Sequence, residues 1–216
     1  KTWSVPYLPI DPKDVGRDYE SDVIRINSQS GKGGVAYILE TNYGYRIPTG
    51  MREEIGYLMK HISDVAHKEL TPSKVLEIFT KEYVNREDRF KLKDASFKKL
   101  PHSESLGDNG MEADIVTIID GKEYTLQGKG NGRLDAVMNA LRKGPYKIEC
   151  DFVTYEEHAL ESESNSRAAA YVAMSDKNGK TYWGVGIHND IIYASIHALM
   201  SAINRGFTAK NEETEN

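Results

Sequence analysis

The sequence contains little cysteine, no excess of positive charge and no long apolar run. Cys150 is the only cysteine among 216 residues, so an internal disulfide is excluded and a reducing compartment, the cytoplasm, is the simplest setting. The net charge of −5 and the lack of a basic stripe disfavour nucleic-acid and membrane-surface binding. No apolar run approaches the roughly 20 residues of a membrane span. A soluble globular protein is therefore expected.

Motifs that would form a complete active site are also missing. The six histidines form no pair at ligand spacing, and one cysteine cannot anchor zinc, so no metal site is predicted. The Gly-rich segment 30–34 lacks the first glycine and the Ser or Thr of a phosphate loop. Segment 128–132 lies between a strand and a helix, where backbone amides often bind anions, but tight packing explains its glycines equally well. These residues favour a sensing or assembly module without a cofactor.

The first part of the chain predicts an arm followed by a small subdomain. Residues 1–22 are rich in proline, which indicates an extended arm. Residues 23–87 predict a linker subdomain with strands at 23–26 and 35–39, followed by a helical hairpin. Thr71 is predicted to cap the second helix of that hairpin, with Pro72 at its first position. The apolar face predicted for the first helix consists of Met51, Ile55, Leu58, Ile62 and Val65.

Residues 88–207 predict a duplicated domain. A hairpin turn at Asp120-Gly121 and a helix after Gly132 in the first half are matched by a turn at Gly179 and a helix after Asn189 in the second. Several residues coincide at an offset of 58 positions, and one further strand precedes each hairpin. The predicted units, about 88–144 and 145–207, are each strand-strand-strand-helix. The predicted fold is α+β with pseudo-twofold symmetry, and 208–216 is expected to be a disordered tail.

Two stretches resemble a known family. Segments 5–17 (VPYLPIDPKDVGR) and 24–37 (IRINSQSGKGGVAY) are similar to the linker of the 2-isopropylmalate synthases. The resemblance continues through the hairpin and both repeats, to WGVG at 183–186 and SAINR at 201–205. It implies the C-terminal linker and the leucine-binding regulatory domain of such an enzyme.

The resemblance also implies what the rest of the enzyme does. Enzymes of the family condense acetyl-CoA with 2-oxoisovalerate on a barrel that holds a divalent metal. That barrel would precede Lys1, so the fragment alone is expected to be inactive. Enzymes of the family form homodimers in which a tyrosine of the arm reaches the partner's active site. Tyr7 occupies that position here. The alternative for Tyr7 is a packing role that anchors the arm.

The family's leucine contacts, carried over position by position, give a predicted effector site. Leu134 and Ile191 could equally be core residues, and Asp135 could serve only the dipole of its helix. Asp135 and Ser166 stand where relatives have small apolar residues. Two alternatives remain, a structural dimerisation module without an effector and the regulatory domain of a citramalate synthase. The predicted effector-binding residues are Leu134, Asp135, Ala136, Tyr155, Ala159, Ser166, Ala168 and Ile191.

Overall fold

The structure, a computed structural model, describes residues 32–160 and 166–214, with side chains over 33–160 and 166–206. The proline-rich arm with Tyr7 and the strand predicted at 23–26 lie outside the described residues.

The chain first forms three helices. They are α1 (Lys32–Tyr43), α2 (Thr49–Ala66) and α3 (Pro72–Tyr83). The strand predicted at 35–39 is therefore wrong, because these residues belong to α1. Val35, Ala36, Ile38 and Leu39 are all buried while Tyr37 is exposed, which is the spacing of a helix face and not of a strand.

The helical hairpin α2–α3 confirms the prediction, with one correction to the buried face. Thr71 caps α3 by accepting a hydrogen bond from the Lys74 amide, and Pro72 takes the first helical position. On α2, however, Val65 is 67% exposed, while Met59 and Ser63 are buried. The buried face of α2 shifts around the helix by about one residue along its length. Val65, the last residue of the predicted apolar face, therefore lies on the solvent side.

Two antiparallel three-stranded sheets follow, each with one helix. The first unit comprises β1 (Phe90–Lys99), β2 (Gly110–Ile119), β3 (Lys122–Asn131) and α4 (Arg133–Leu141). The second comprises β4 (Cys150–Leu160), β5 (Arg167–Asp176), β6 (Thr181–His188) and α5 (Ile191–Thr214). The middle strand of each sheet pairs with the strands before and after it in sequence. The predicted α+β fold with a repeated strand-strand-strand-helix unit is confirmed. Helix α5 continues into the predicted tail, which contains no proline or glycine to stop it.

The strand register gives the alignment of the two units directly. The central pairs are Ala113–Gly128 in the first sheet and Ala170–Gly186 in the second. The offset is thus 57 residues on the middle strand (170 − 113) and 58 on the third (186 − 128). The second hairpin turn contains one additional residue. The first strand of each unit carries an irregularity in pairing, after Leu92 and after Phe152.

Both units share one core, and the second sheet also contributes to another. The inner face of β5, with Ala170, Val172 and Met174, packs in the same apolar cluster as β2, α4 and α5. The outer face of β5, with Ala169 and Tyr171, packs against the three helices. The middle strand of the second sheet is therefore buried on both faces, which explains why β5 is a nearly continuous apolar run and not an alternating one.

Candidate functional site

A groove of about 760 Å³ opens at the junction of the two units. It lies between the first turns of α4 and α5 and the strand β4. Its size falls within the range typical of small-molecule sites. The residues that form its walls are Asn131, Gly132, Arg133, Leu134, Asp135, Met138, Arg142, Asp151, Phe152, Tyr155, Glu157, Ile191, Ile192, Ser195 and Ile196.

Glycines in the third strand of each unit set the positions of the two helices. A Cβ atom on Gly128 would overlap the backbone of Ala136 and Ala140, and one on Gly186 would overlap the backbone of Ala194 and Ala198. Only glycine allows helix and strand to approach this closely. Because the same contact occurs in both units, α4 and α5 begin at equivalent places. The groove therefore follows from the duplication.

The apolar part of the groove comes from both helices and from β4. Leu134 is partly buried against the shared core, whereas Ile191 is 37% exposed and so is not a core residue. Met138 and Ile196 form the buried floor, and Phe152 stands on β4 with much of its ring exposed. An aliphatic side chain placed here would contact carbon atoms from three separate elements.

A hydrogen-bonded group connects β4 to α5 across the groove. The Tyr155 hydroxyl lies 2.8 Å from Ser195 Oγ and also donates to the Glu157 carboxylate. The single Ser195 hydroxyl proton can be donated either to Tyr155 or to the Ile191 carbonyl, 2.7 Å away. Burial, with the hydrogen bond to Glu157, raises the pKa of Tyr155 to about 12. The tyrosine therefore stays a neutral donor at physiological pH.

The two helix starts differ in how their amides are satisfied. On α5, the Asp190 carboxylate accepts from the Ile192 amide at 2.7 Å. On α4, the Gly132 cap residue makes no side-chain capping bond, and the Asp135 carboxylate reaches back to the Asn131 amide instead, at 2.8 Å. Within the described part of the chain, the amides of the first α4 turn therefore have neither an intrahelical nor a side-chain acceptor, and they carry the positive end of the helix dipole.

Most charged groups of the groove already have hydrogen-bonding partners. Arg142 donates to the Cys150 carbonyl at 2.8 Å and to the Asp151 carboxylate at 3.1 Å. Arg133, on the first turn of α4, forms no ion pair with any residue that the structure describes. Among the described residues, the wall beside α4 thus offers a cation without an ion-pair partner.

The structure places the predicted effector residues unequally. Leu134, Asp135, Tyr155 and Ile191 all line the groove. Ala136 lies fully buried beneath it, against the glycines of β3. The remaining three are at the far end of β4 and β5 and are not among the groove-lining residues; Ala159 pairs with Ala168, and Ser166 is exposed at the start of β5.

Several groove residues were not predicted from the sequence. Ser195 could have been noticed in the sequence, because it is a polar residue one turn after Ile191 on the apolar face of α5. In the structure it is buried. Arg133 follows the glycine at the helix start, where a basic residue is unfavourable to the helix dipole and so is worth notice. Arg142, Asp151 and Glu157 carried no such signal, since their presence at the groove depends on where β4 crosses α4.

The described residues contain no group of three metal-ligating side chains, and none of their helices is long and apolar enough to cross a membrane. The fold and its junctional groove define a duplicated α+β regulatory domain. The family described as the LeuA allosteric (dimerisation) domain matches residues 69–207, and the chain belongs to it. Residues 1–40 match a second family, the alpha-isopropylmalate synthase post-catalytic domain-like family.

Curated relatives agree with these family matches. A 2-isopropylmalate synthase of Helicobacter hepaticus is 50% identical over 94% of the chain, and one of Desulfitobacterium hafniense is 47% identical over 94%. A 2-isopropylmalate synthase of Corynebacterium efficiens is 41% identical over 99% of the chain. The chain spans 35–36% of the length of these three relatives.

Proposed function

We propose that the groove binds leucine and that the chain is the feedback-regulated, dimer-forming region of a 2-isopropylmalate synthase. The observation that carries this proposal is the groove itself, which combines an apolar wall with a helix start and an arginine that have no acceptor or ion-pair partner among the described residues. A free branched-chain amino acid has the matching chemistry, with an aliphatic side chain and a carboxylate. The similarity to 2-isopropylmalate synthases supports the leucine branch over a citramalate synthase.

The groove suggests one arrangement for the bound zwitterion. The leucine carboxylate would lie at the first turn of α4, where the free amides and the Arg133 guanidinium are both donors. The ammonium group would face Glu157, whose carboxylate already accepts from Tyr155. The isobutyl group would rest on the apolar surface of Leu134, Phe152 and Ile191. Ala159, Ser166 and Ala168 would then act at a distance or not at all.

The activity of the whole enzyme is part of the proposal. The complete protein would condense acetyl-CoA with 2-oxoisovalerate on a barrel that is not part of this chain and that would hold the divalent metal. Tyr7 would extend from the arm to the active site of the partner subunit in a homodimer. The relatives are named as synthases, which fits the cytoplasm as the location.

One pair of variants tests the leucine site. Ile191→Asp places a carboxylate on the apolar wall, at the first position of α5, where a negative charge is favourable to the helix. The fold should therefore be kept while leucine affinity falls at least roughly tenfold, an effect of about 1.4 kcal/mol. Val153→Asp is the matched control, since Val153 is an exposed residue of β4 outside the groove.

The readout is the rise in melting temperature that leucine causes. Binding to the native state alone adds about 2.7 kcal/mol at a hundredfold excess over Kd. For a chain of this size that is a rise of roughly 5–10 °C. Both the parent chain and the Val153→Asp variant should show it, and Ile191→Asp at the same leucine concentration should show roughly half of it or less. A full rise in Ile191→Asp would place the leucine site elsewhere, and no rise in the parent chain would leave the structural-module alternative.

A further inference from the structure

Helix α5 contacts both the groove and the helical subdomain through polar side chains. Its first turn forms the groove wall, where Ser195 is hydrogen-bonded to Tyr155. About 15 Å further along the same helix, at a rise of 1.5 Å per residue, Arg205 contacts α2. A helix is stiff over this length, so a movement of one end is transmitted to the other.

The far end of α5 holds the connection between α3 and β1. The Ser201 hydroxyl donates to the Tyr83 carbonyl at 2.6 Å. The Asn204 side chain donates to the Arg86 and Phe90 carbonyls and accepts from the Phe90 amide, all within 2.9 Å. Ser201 and Asn204 are both buried, so these bonds are shielded from water and costly to break.

Arg205 adds a direct link to α2. Its guanidinium donates to the Glu54 carboxylate at 2.5 Å and to the Trp183 carbonyl at 2.8 Å. It also lies over the Tyr83 ring, 4.0 Å from its centre. The side chains of Arg205 and Glu54 are only 15% and 28% exposed, so this ion pair is not a loose surface contact. Burial raises the pKa of Tyr83, while the neighbouring Arg205 lowers it.

The contact between α5 and its sheet is backbone on backbone. Gly184 and Gly186 of β6 leave the backbone of α5 directly on the backbone of the strand, opposite Ala194, Ala198 and Ala202. The position of α5 is therefore coupled closely to that of the second sheet.

We propose that α5 transmits occupancy of the groove to the helical subdomain, and that the Arg205–Glu54 ion pair is the contact that carries the signal to α2. This inference rests on the proposed leucine site and describes how leucine binding there affects the helical subdomain. A ligand that bridges the first turns of α4 and α5 fixes the position of α5 on its glycine contact. That in turn fixes Arg205 against Glu54 and reduces local opening of α2. The coupling is reciprocal, so breaking the pair also weakens the effect of α2 on the groove.

Amide hydrogen exchange of the whole chain, with and without leucine, tests this proposal. In the parent chain leucine should slow exchange at the starts of α4 and α5 and, roughly tenfold or more at saturation, in α2 (Thr49–Ala66). Glu54→Gln keeps the shape of the side chain and removes its charge. This variant should retain the response at the groove and lose the response in α2. Arg205→Met removes the cation of the same ion pair and should likewise retain the response at the groove and lose the response in α2.

Glu77→Gln is the matched control, because Glu77 forms an exposed ion pair with Lys74 on α3, away from α5. This variant should behave as the parent chain does. The inference is overturned if leucine protects the groove but not α2 in the parent chain, or if Glu54→Gln keeps the α2 response. No protection by leucine at the groove overturns the proposed leucine site itself, which is a separate and recognisable outcome.

Discussion

The glycine contacts beneath the two repeat helices give the sharpest stability prediction. A methyl group on Gly186 would overlap the backbone of Ala194 and Ala198, which cannot move aside as a flexible side chain can. Overpacking in a close-packed interior costs about 1–3 kcal/mol, and a backbone clash belongs at the upper end. For a chain of 216 residues each kcal/mol lowers the melting temperature by roughly 2–4 °C. Gly186→Ala should therefore melt roughly 6–12 °C below the parent chain.

The duplication makes the same prediction for the first unit, and α1 offers a matched control. Gly128→Ala should show a loss of similar size, because its Cβ would overlap the backbone of Ala136 and Ala140. Gly33 lies in α1 with open space around its Cα, so Gly33→Ala should be neutral or stabilising by up to about 1 kcal/mol. Thermal unfolding followed by circular dichroism measures all three. Melting of Gly186→Ala within about 1 °C of the parent chain would refute this account of the helix positions.

Three further predictions follow from other parts of the molecule. Burial and the neighbouring His188 lower the pKa of His197 from 6.5. The unfolded state therefore binds more protons, and the unfolding free energy should fall as pH drops below about 6.5. In urea titrations at several pH values His197→Gln should reduce this fall, and an unchanged pH profile would contradict the prediction. Thr71→Ala removes the α3 cap and should cost about 1 kcal/mol in the same assay, with no loss counting against the cap. Sedimentation at tens of micromolar should show a homodimer, in keeping with the dimerisation family, and a monomer would oppose this.

The duplicated domain could be predicted from the sequence because its signals are local. Each hairpin has a turn residue that tolerates positive φ, as Asp120 and Gly121 do in the first unit. The strand prediction at 35–39 was wrong because Val35 and Ile38 have high β propensity. The helical spacing of the buried positions becomes evident only when this segment packs against α2 and α3. Propensity is a weak guide where tertiary packing selects the conformation.

The candidate site could be predicted only in part, for a geometric reason. Leu134, Asp135 and Ile191 were predicted from the family resemblance, and they lie at helix starts that the sequence marks with glycine and asparagine. The polar residues that complete the groove come from β4 and from the second turn of α5, so their meeting depends on the crossing of two units. The bond between Tyr155 and Ser195 spans 40 residues of chain, and no local pattern encodes it.

The most direct test of the central claim is a calorimetric titration of the chain with leucine. The account predicts saturable binding at one site per chain, with isoleucine binding more weakly by roughly 1–3 kcal/mol because its branch falls at a different carbon. The affinity should fall at least roughly tenfold in Ile191→Asp and stay unchanged in Val153→Asp. A parent chain that gives no binding heat with leucine, isoleucine or valine and no change in stability with any of them would contradict the claim that the groove is an effector site.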